Sequence, residues 1–223
     1  MNIYYHIDAK KNLEEAKKSL DMFLDSKKAF MYAKKALEQG LIEANILLGI
    51  LYRSLFKIPV NMKRAERNQM AFEAFQTAAQ SGIIEGVYYL GIMSMDKKEY
   101  NEATRYFNIC LAQEYIKAVN EIYKLKMMNK YDIEEEKMNE LINRYLETYD
   151  DSSMHYEMGL RSLNGIGREP NEKRAFDHIE QAVYLSKFSD EKSINLLIKM
   201  YENEIGTKYD EERLKELKDI IDI

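Results

Sequence analysis

Several residue types are scarce in this chain of 223 residues, which has no tryptophan, one cysteine and two prolines. Because a single cysteine has no partner within the chain, Cys110 cannot form an intrachain disulfide, which agrees with a reducing compartment. Valine and threonine occur only four times each, whereas straight-chain residues, which lose little rotamer freedom in a helix, are abundant. The composition therefore predicts helices rather than strands.

Long apolar runs are also missing. None approaches the roughly 20 residues that a membrane-spanning helix needs. The first eight residues, Met1 to Asp8, do not show a basic region followed by an apolar region, as a secretory signal would. We therefore expect a cytoplasmic protein that does not associate with membranes.

The net charge of −5 is unevenly divided along the chain. Residues 1–130 contain 20 basic and 15 acidic residues, whereas residues 131–223 contain 13 basic and 23 acidic residues. An acidic C-terminal half disfavours the phosphate backbone of a nucleic acid as a ligand. The acidic residues either form solvated helix faces or attract a basic partner.

A motif marked by glycine and tyrosine recurs five times at roughly 32–42 residue spacing. The clear copies are Ala44–Tyr52, Gly86–Met93 and Met154–Leu160, and the weaker ones are Ala118–Tyr123 and Ser193–Tyr201. A repeat of this length corresponds to one helix pair, which cannot bury its apolar face alone, so neighbouring pairs must stack.

A second helix follows the first in each repeat. Ala29–Gly40 and Ala71–Gly82 are near copies of each other, and both end in glycine, which suits the left-handed residue that closes a helix. Ala103–Phe107 and Ala175–Ile179 begin two further second helices. The small alanine allows the paired helices to approach closely, and the aromatic residue after it fills the space between them.

Proline and the capping residues mark where helices begin. Because proline is disfavoured inside helices, we expect Pro59 and Pro170 in turns between the two helices of a repeat. Small polar residues at the predicted helix starts are candidate N-caps: Ser26, Asn61, Ser152 and Asn171.

The combined pattern, Ala-x-x-x-Leu-Gly-x-x-Tyr, then Gly-x-Gly (as in Gly165–Gly167) and an Ala-Phe second helix that ends in Gly, resembles the SEL-one-like repeat, a relative of the tetratricopeptide repeat. The resemblance covers residues 27–206. It implies an all-α fold, an α-α superhelix (solenoid) of about six antiparallel helix pairs, which we expect to be right-handed. We expect one domain over residues 1–223, with an N-terminal helix in 1–26 and a capping helix in 207–223.

Residues that could carry chemistry have structural explanations. The three histidines, His6, His155 and His178, are far apart in sequence, and none has a metal-ligand partner four residues on. Cys110 occupies a position where the repeat wants a small buried residue. The acidic clusters Glu134–Glu136 and Asp150–Asp151 lie at predicted helix starts, which the helix dipole favours. We expect no catalytic residues, no metal and no cofactor.

Aligning the repeats leaves one stripe of residues on each first helix, which we call the first-helix stripe. We expect it to line the concave wall of the solenoid as a half-apolar groove, although these residues could instead pack against the neighbouring repeat. Its members are Glu43, Ile46, Ile50, Arg53, Glu85, Tyr88, Ile92, Met95, Lys117, Asn120, Lys124, Met127, Ser153, Tyr156, Leu160, Leu163, Lys192, Asn195 and Lys199.

The favoured hypothesis is a non-enzymatic scaffold or adaptor that binds another protein through this concave surface. The apolar anchors would be Tyr88, Ile92, Met95, Tyr156 and Leu160, with Asn120 and Lys124 setting orientation. Proteins that contain SEL-one-like repeats commonly act as adaptors and regulators. The alternative is an immunity or inhibitor protein whose acidic half covers the basic surface of a toxin. Formation of a homodimer through one end of the stack stays open, and an enzyme is the least favoured hypothesis.

Overall fold

The computed structural model describes residues 3–21, 25–54 and 61–221, with side chains from residue 7 onward. These residues form twelve α-helices and no strand, which confirms the all-α fold class. The helices are α1 Ile3–Asp21, α2 Ser26–Glu38, α3 Ala44–Arg53, α4 Arg64–Gln80, α5 Ile84–Asp96, α6 Tyr100–Ala112, α7 Ala118–Met127, α8 Glu135–Leu146, α9 Ser152–Asn164, α10 Glu172–Leu185, α11 Glu191–Glu202 and α12 Glu211–Ile221.

The chain divides into two compact units, Met1–Ala118 and Val119–Ile223. In the first unit, α1 packs on α2, α3 on α4 and α5 on α6, and successive pairs meet through α2–α3 and α4–α5. In the second unit, α9 packs on α10 and α11 on α12, joined through α8–α9 and α10–α11. The pairs α1–α2, α3–α4, α5–α6, α9–α10 and α11–α12 therefore follow the repeat, while the single-domain boundaries remain a prediction.

The glycine of each clear repeat marks a close contact between the two helices of a pair. A Cβ atom built on Gly91 would lie 2.6 Å from the Phe107 ring, and one built on Gly159 would lie 2.5 Å from Ile179. Gly49 meets the ring of Phe75 in the same way. All three partners lie four residues after the second-helix alanine and are fully buried, which confirms the aligned glycine and alanine positions.

Two second helices end as the sequence predicts. Gly40 and Gly82 have φ angles of 87° and 81°, in the left-handed region that glycine tolerates. The backbone N–H groups of the residues after them, Leu41 and Ile83, each donate a 3.0 Å hydrogen bond to the carbonyl oxygen five residues earlier. This hydrogen bond is the one that closes a Schellman motif and satisfies carbonyl groups at a helix end.

Three of the four predicted N-caps are wrong by one or two residues. Asn171 caps α10, because its Oδ1 accepts a 2.8 Å hydrogen bond from the backbone of Arg174. The other three caps are one or two positions away from the predicted residue: Asp25 rather than Ser26, Lys63 rather than Asn61, and Asp151 rather than Ser152. At two of these starts an aspartate precedes the serine, and its carboxylate accepts from the backbone N–H groups in place of the hydroxyl.

The first and last helices each bury apolar side chains. Ala16 of α1 and Leu217 of α12 are fully buried, and Leu214 is nearly so. The predicted turn at Pro170 is confirmed, because it lies between α9 and α10. Pro59, and the contribution of residues 22–24 to the first helix, lie outside the described residues.

None of the helices within the described ranges is long and apolar enough to cross a membrane.

Candidate functional site

The predicted anchors in the first unit lie at different depths. Tyr88 of α5 is only 7% exposed, so the expectation that it lines an exposed surface is wrong. Its ring packs against the rings of Phe107 and Tyr115, with centroids 6.0 and 5.5 Å away. Ile92 and Met95, further along α5, are half-buried and keep part of their surface in water.

The predicted residues of the second unit are already engaged with side chains of their own chain. The Nδ2 of Asn120 donates to the Oδ2 of Asp151 over 3.4 Å, and the Nζ of Lys124 lies 2.9 Å from the Oε1 of Glu121. Tyr156 packs partly against the apolar core formed by α10 and α11, and like Leu160 it is half-buried on α9. Tyr156 and Leu160 nevertheless keep part of their surface in water, and Lys124 is exposed apart from its contact with Glu121.

Two tyrosine hydroxyls tie α7 and α8 to acidic groups around α9. Tyr123 donates a 2.6 Å hydrogen bond to Glu157, and Tyr145 donates a 2.9 Å hydrogen bond to Asp151. Burial raises the pKa of Asp151, but hydrogen bonds from Ser153, from the backbone of Met154 and from Tyr145 outweigh that effect and hold the pKa below its usual value. Asp151 of the acidic cluster thus caps α9, and its hydrogen bonds stabilise the negative charge of its carboxylate.

A buried arginine connects α8, α9 and the turn that follows α9. Arg161 is 4% exposed, and its Nη2 lies 2.6 Å from the Oε2 of Glu135 while its Nε donates to the Oδ1 of Asn139 over 2.5 Å. Lys126 of α7 lies 2.8 Å from the other carboxylate oxygen of Glu135. Burial raises the pKa of Glu135, but the hydrogen bonds from Lys126 and Arg161 prevail and lower it.

This arginine was not identified from the sequence. Glu135 does begin α8, as the interpretation of the acidic cluster predicts, but its ion pair with Arg161 spans 26 residues and follows no helical spacing. Asn139, which is 2% exposed, completes the network by donating to the backbone oxygen of Ile166. Every polar group named here has a partner in the chain, so the network stabilises the second unit and offers no free group for chemistry.

His155 and His178 form a pair that the sequence also did not reveal. His155 lies on α9 and His178 on α10, and their Nδ1 atoms are 3.0 Å apart. Both side chains are half-buried. Within the described residues, no group of three or more histidine, cysteine, aspartate or glutamate side chains could hold a metal ion.

Cys110 and the glycines of the turn after α9 have structural roles. Cys110 is fully buried, and burial raises the pKa of its thiol to about 12, so it lacks the thiolate that a nucleophile needs. Gly165 and Gly167 form the turn after α9, with φ angles of 67° and 65°. A Cβ on Gly167 would lie 2.5 Å from the backbone of Glu135, so close packing explains this glycine.

A groove of about 470 Å³ opens on the first-helix side of the first unit, and we call it the first-helix groove. Leu13 and Leu20 of α1, Ile46 and Ile50 of α3, and Ile83 before α5 form its apolar walls. Four charged residues line it as well: Lys17, Asp21, Glu43 and Glu85. Ile46, Ile50, Glu43 and Glu85 belong to the first-helix stripe, whereas the contribution of α1 was not predicted.

Comparisons with solved structures identify the fold. A protective antigen present in uropathogenic Escherichia coli strains, c5321, displays an SLR fold and matches with a TM-score of 0.73 and 18% identity over 99% of this chain. A Sel1 repeat protein from Oxalobacter formigenes matches with a TM-score of 0.67 and 18% identity over 86% of this chain. The chain has an SLR-like helical-repeat fold.

That likeness is one of fold alone, because identity is 18% in both matches. The matched regions cover 48% and 55% of the two solved chains, so this chain spans about half their length. No protein-family model matches the sequence, and no curated protein matches it. The SLR-like fold confirms the resemblance seen in the repeat motif.

Proposed function

We propose that this SLR-like protein is a non-enzymatic scaffold that binds a segment of another protein through its first-helix faces. One observation carries the proposal: the first-helix stripe keeps large apolar side chains partly open to water. These include Ile46, Ile50, Ile92, Met95 and Leu160, all half-buried. Half-apolar surfaces with polar points at their margins are typical of binding sites.

The proposal assigns the predicted residues different roles. Ile92, Met95, Tyr156 and Leu160 are anchors, and Lys124 and Asn120 orient the partner. Tyr88 supports the face from inside, because it is buried. We include in the proposal that the protein is cytoplasmic, has no catalytic turnover and needs no cofactor.

Affinity capture from cell extract with matched variants tests this function. Ile92→Asp and Leu160→Asp place a charge on the first-helix faces of α5 and α9. The controls are Ile109→Asp and Tyr184→Asp on the second helices α6 and α10, where the native side chains are 44% and 68% exposed. We expect a co-purifying protein that the first-helix variants lose and the controls keep. Loss by the controls alone would place binding on the second helices.

An immunity or inhibitor protein is the alternative function. It is favoured by the acidic excess of residues 131–223, which contain 23 acidic and 13 basic residues. Glu211 and Glu212, in the first turn of α12, are among the exposed acids of this half. If the captured protein is basic and toxic to cells, and if charge reversal at these positions slows its association at low salt, this alternative is favoured.

A further inference from the structure

The first-helix groove has the dimensions of a docking site for a helix. Leu13 and Leu20 are seven residues apart on α1, so the wall that they form runs about 10 Å along the helix axis at 1.5 Å per residue. An amphipathic helix that presents apolar residues at positions i, i+3 or i+4, and i+7 covers the same length. The groove has a volume of about 470 Å³. Ligand-binding pockets have volumes of roughly 300–1,000 Å³, so the groove is within their range.

The charges around the groove indicate which charged residues should flank the apolar face of such a helix. Three carboxylates, Asp21, Glu43 and Glu85, line it together with one cation, Lys17. This local acidic excess lies in the half of the chain whose net charge is positive, since residues 1–130 contain 20 basic and 15 acidic residues. In the part of the chain that the structure describes, no basic side chain forms an ion pair with any of these three carboxylates.

Two of the carboxylates occupy equivalent positions in successive repeats. Glu43 is the residue before α3, and Glu85 lies in the first turn of α5. The helix dipole stabilises an acid at either position, which explains why folding tolerates them. Glu43 makes no cap hydrogen bond to its own helix, so its carboxylate remains available to a cation from outside.

We propose that the first-helix groove docks a short amphipathic helix of a partner protein, with apolar residues facing the groove and lysine or arginine on both flanks. The apolar face would cover Leu13, Leu20, Ile46 and Ile50, and the basic flanks would pair with Glu43, Glu85 and Asp21. An acidic helix or an anionic lipid would meet like charge at the rim, which costs binding free energy. The inference rests on the proposed function, since it names the partner chemistry of one first-helix face.

Selection from a displayed library of random peptides, with the full-length protein as target, tests the groove while the natural partner is still unidentified. We expect enriched peptides to share apolar residues at helical spacing and flanking lysine or arginine. A synthetic copy of an enriched peptide, labelled for fluorescence anisotropy, then serves as the probe. Failure to enrich such peptides, or enrichment of peptides with acidic flanks, would overturn the inference.

Two groove variants and two control variants test whether the probe binds in the first-helix groove. Ile50→Asp charges the apolar wall, and the double change Glu43→Lys with Glu85→Lys reverses the charge of the rim. Met31→Asp and Glu38→Lys make the same changes on the exposed face of α2. We expect at least a tenfold weaker affinity in both groove variants and no change in the controls. Should Ile50→Asp fail to fold by circular dichroism, the charge reversal decides alone.

Other outcomes assign the groove differently. If the groove variants bind the probe normally and Leu160→Asp does not bind it, docking lies on α9. That result contradicts this inference and leaves the proposed function intact. A concentration-dependent dimer that Ile50→Asp abolishes, measured by sedimentation, would make a second copy of this chain the occupant and overturn the inference. Native capture that no first-helix variant reduces would contradict the proposed function itself.

Discussion

The Nδ1 atoms of His155 and His178 point directly at each other across the contact between α9 and α10. The two Nδ1 atoms are 3.0 Å apart, and the ring centroids are 5.2 Å apart. The difference is about twice the distance from the centre of an imidazole ring to one of its atoms, so the two nitrogens lie close to the line that joins the ring centres. Such an arrangement is a straight N–H···N hydrogen bond, in which one ring donates and the other accepts. It leaves no space for a metal ion between the two nitrogens.

This pair predicts a loss of stability in mild acid. Burial lowers the pKa of both histidines, and for His178 burial, the charge of His155 and the nearby Arg168 and Arg174 bring the pKa to about 4. Three carboxylates also face the pair and partly offset this shift: Asp150 and Asp151 near His155, and Asp177 near His178. An unfolded histidine has a pKa of about 6.5, so between these two values the unfolded chain binds more protons. The stabilisation is therefore complete above pH 6.5 and is lost as the pH falls towards 4.

Urea unfolding at a series of pH values measures this effect. We expect the free energy of unfolding to fall between pH 6.5 and 4 in the wild type, and to fall less in His178→Asn and in His155→Asn. Because the two rings act as one unit, the double variant should lose little more pH dependence than either single variant. Equal slopes in the wild type and all three variants would show that the pair does not govern acid stability.

The contact between Gly91 and Phe107 predicts an overpacking penalty. Gly91→Leu would place a side chain where even a Cβ lies 2.6 Å from the Phe107 ring. We expect a loss of about 1–3 kcal/mol in the free energy of unfolding, because the core must shift to accept the added atoms. Ala103→Leu, at a fully buried position of α6, should cost a similar amount. Gln76→Leu on the exposed side of α4 is the control and should change stability by less than about 0.5 kcal/mol.

The buried ion pair of Arg161 predicts a larger loss. Arg161→Leu removes the buried cation, so Glu135 keeps only its ion pair with Lys126 and the buried Asn139 loses the hydrogen bond that its Oδ1 accepts. Breaking a buried pair in this way costs about 3–5 kcal/mol, and the partial exposure of Glu135 places the expected loss near the lower end. Denaturant titration checks the value, with Arg105→Leu as the control.

Arg105 is suited to that comparison because it also pairs with a glutamate, Glu102, but its side chain is 78% exposed. An exposed pair contributes at most about 1 kcal/mol. Similar losses in the two variants would mean that burial of Arg161 adds nothing to its pairing.

The sequence predicts the helix frame well because the signal is local. Gly49, Gly91 and Gly159 are required where a large second-helix side chain contacts the first helix, and Gly40 and Gly82 are required by backbone geometry. The sequence predicts the N-cap positions only to within one or two residues, because aspartate and serine at neighbouring positions compete for the same backbone N–H groups.

The site is predicted less well because exposure and pairing depend on distant residues. Tyr88 is buried since Tyr115, beyond the next helix, packs on its ring. The histidine pair joins residues 23 apart and the Arg161–Glu135 pair joins residues 26 apart, with no periodic signal in either case. The α1 wall of the first-helix groove was likewise unforeseen, because the sequence identifies α1 only as a terminal helix.

The most direct test of the account is the dissociation rate of the captured partner from folded variants of the first-helix stripe. Truncation of a half-buried apolar anchor, as in Ile92→Ala or Leu160→Ala, should cost about 1–3 kcal/mol of binding, chiefly through faster dissociation. Met31→Ala and Tyr184→Ala, at residues that are 65% and 68% exposed on second helices, should leave the rate unchanged. Unchanged dissociation from the first-helix variants, together with faster dissociation from the second-helix variants, would contradict the account.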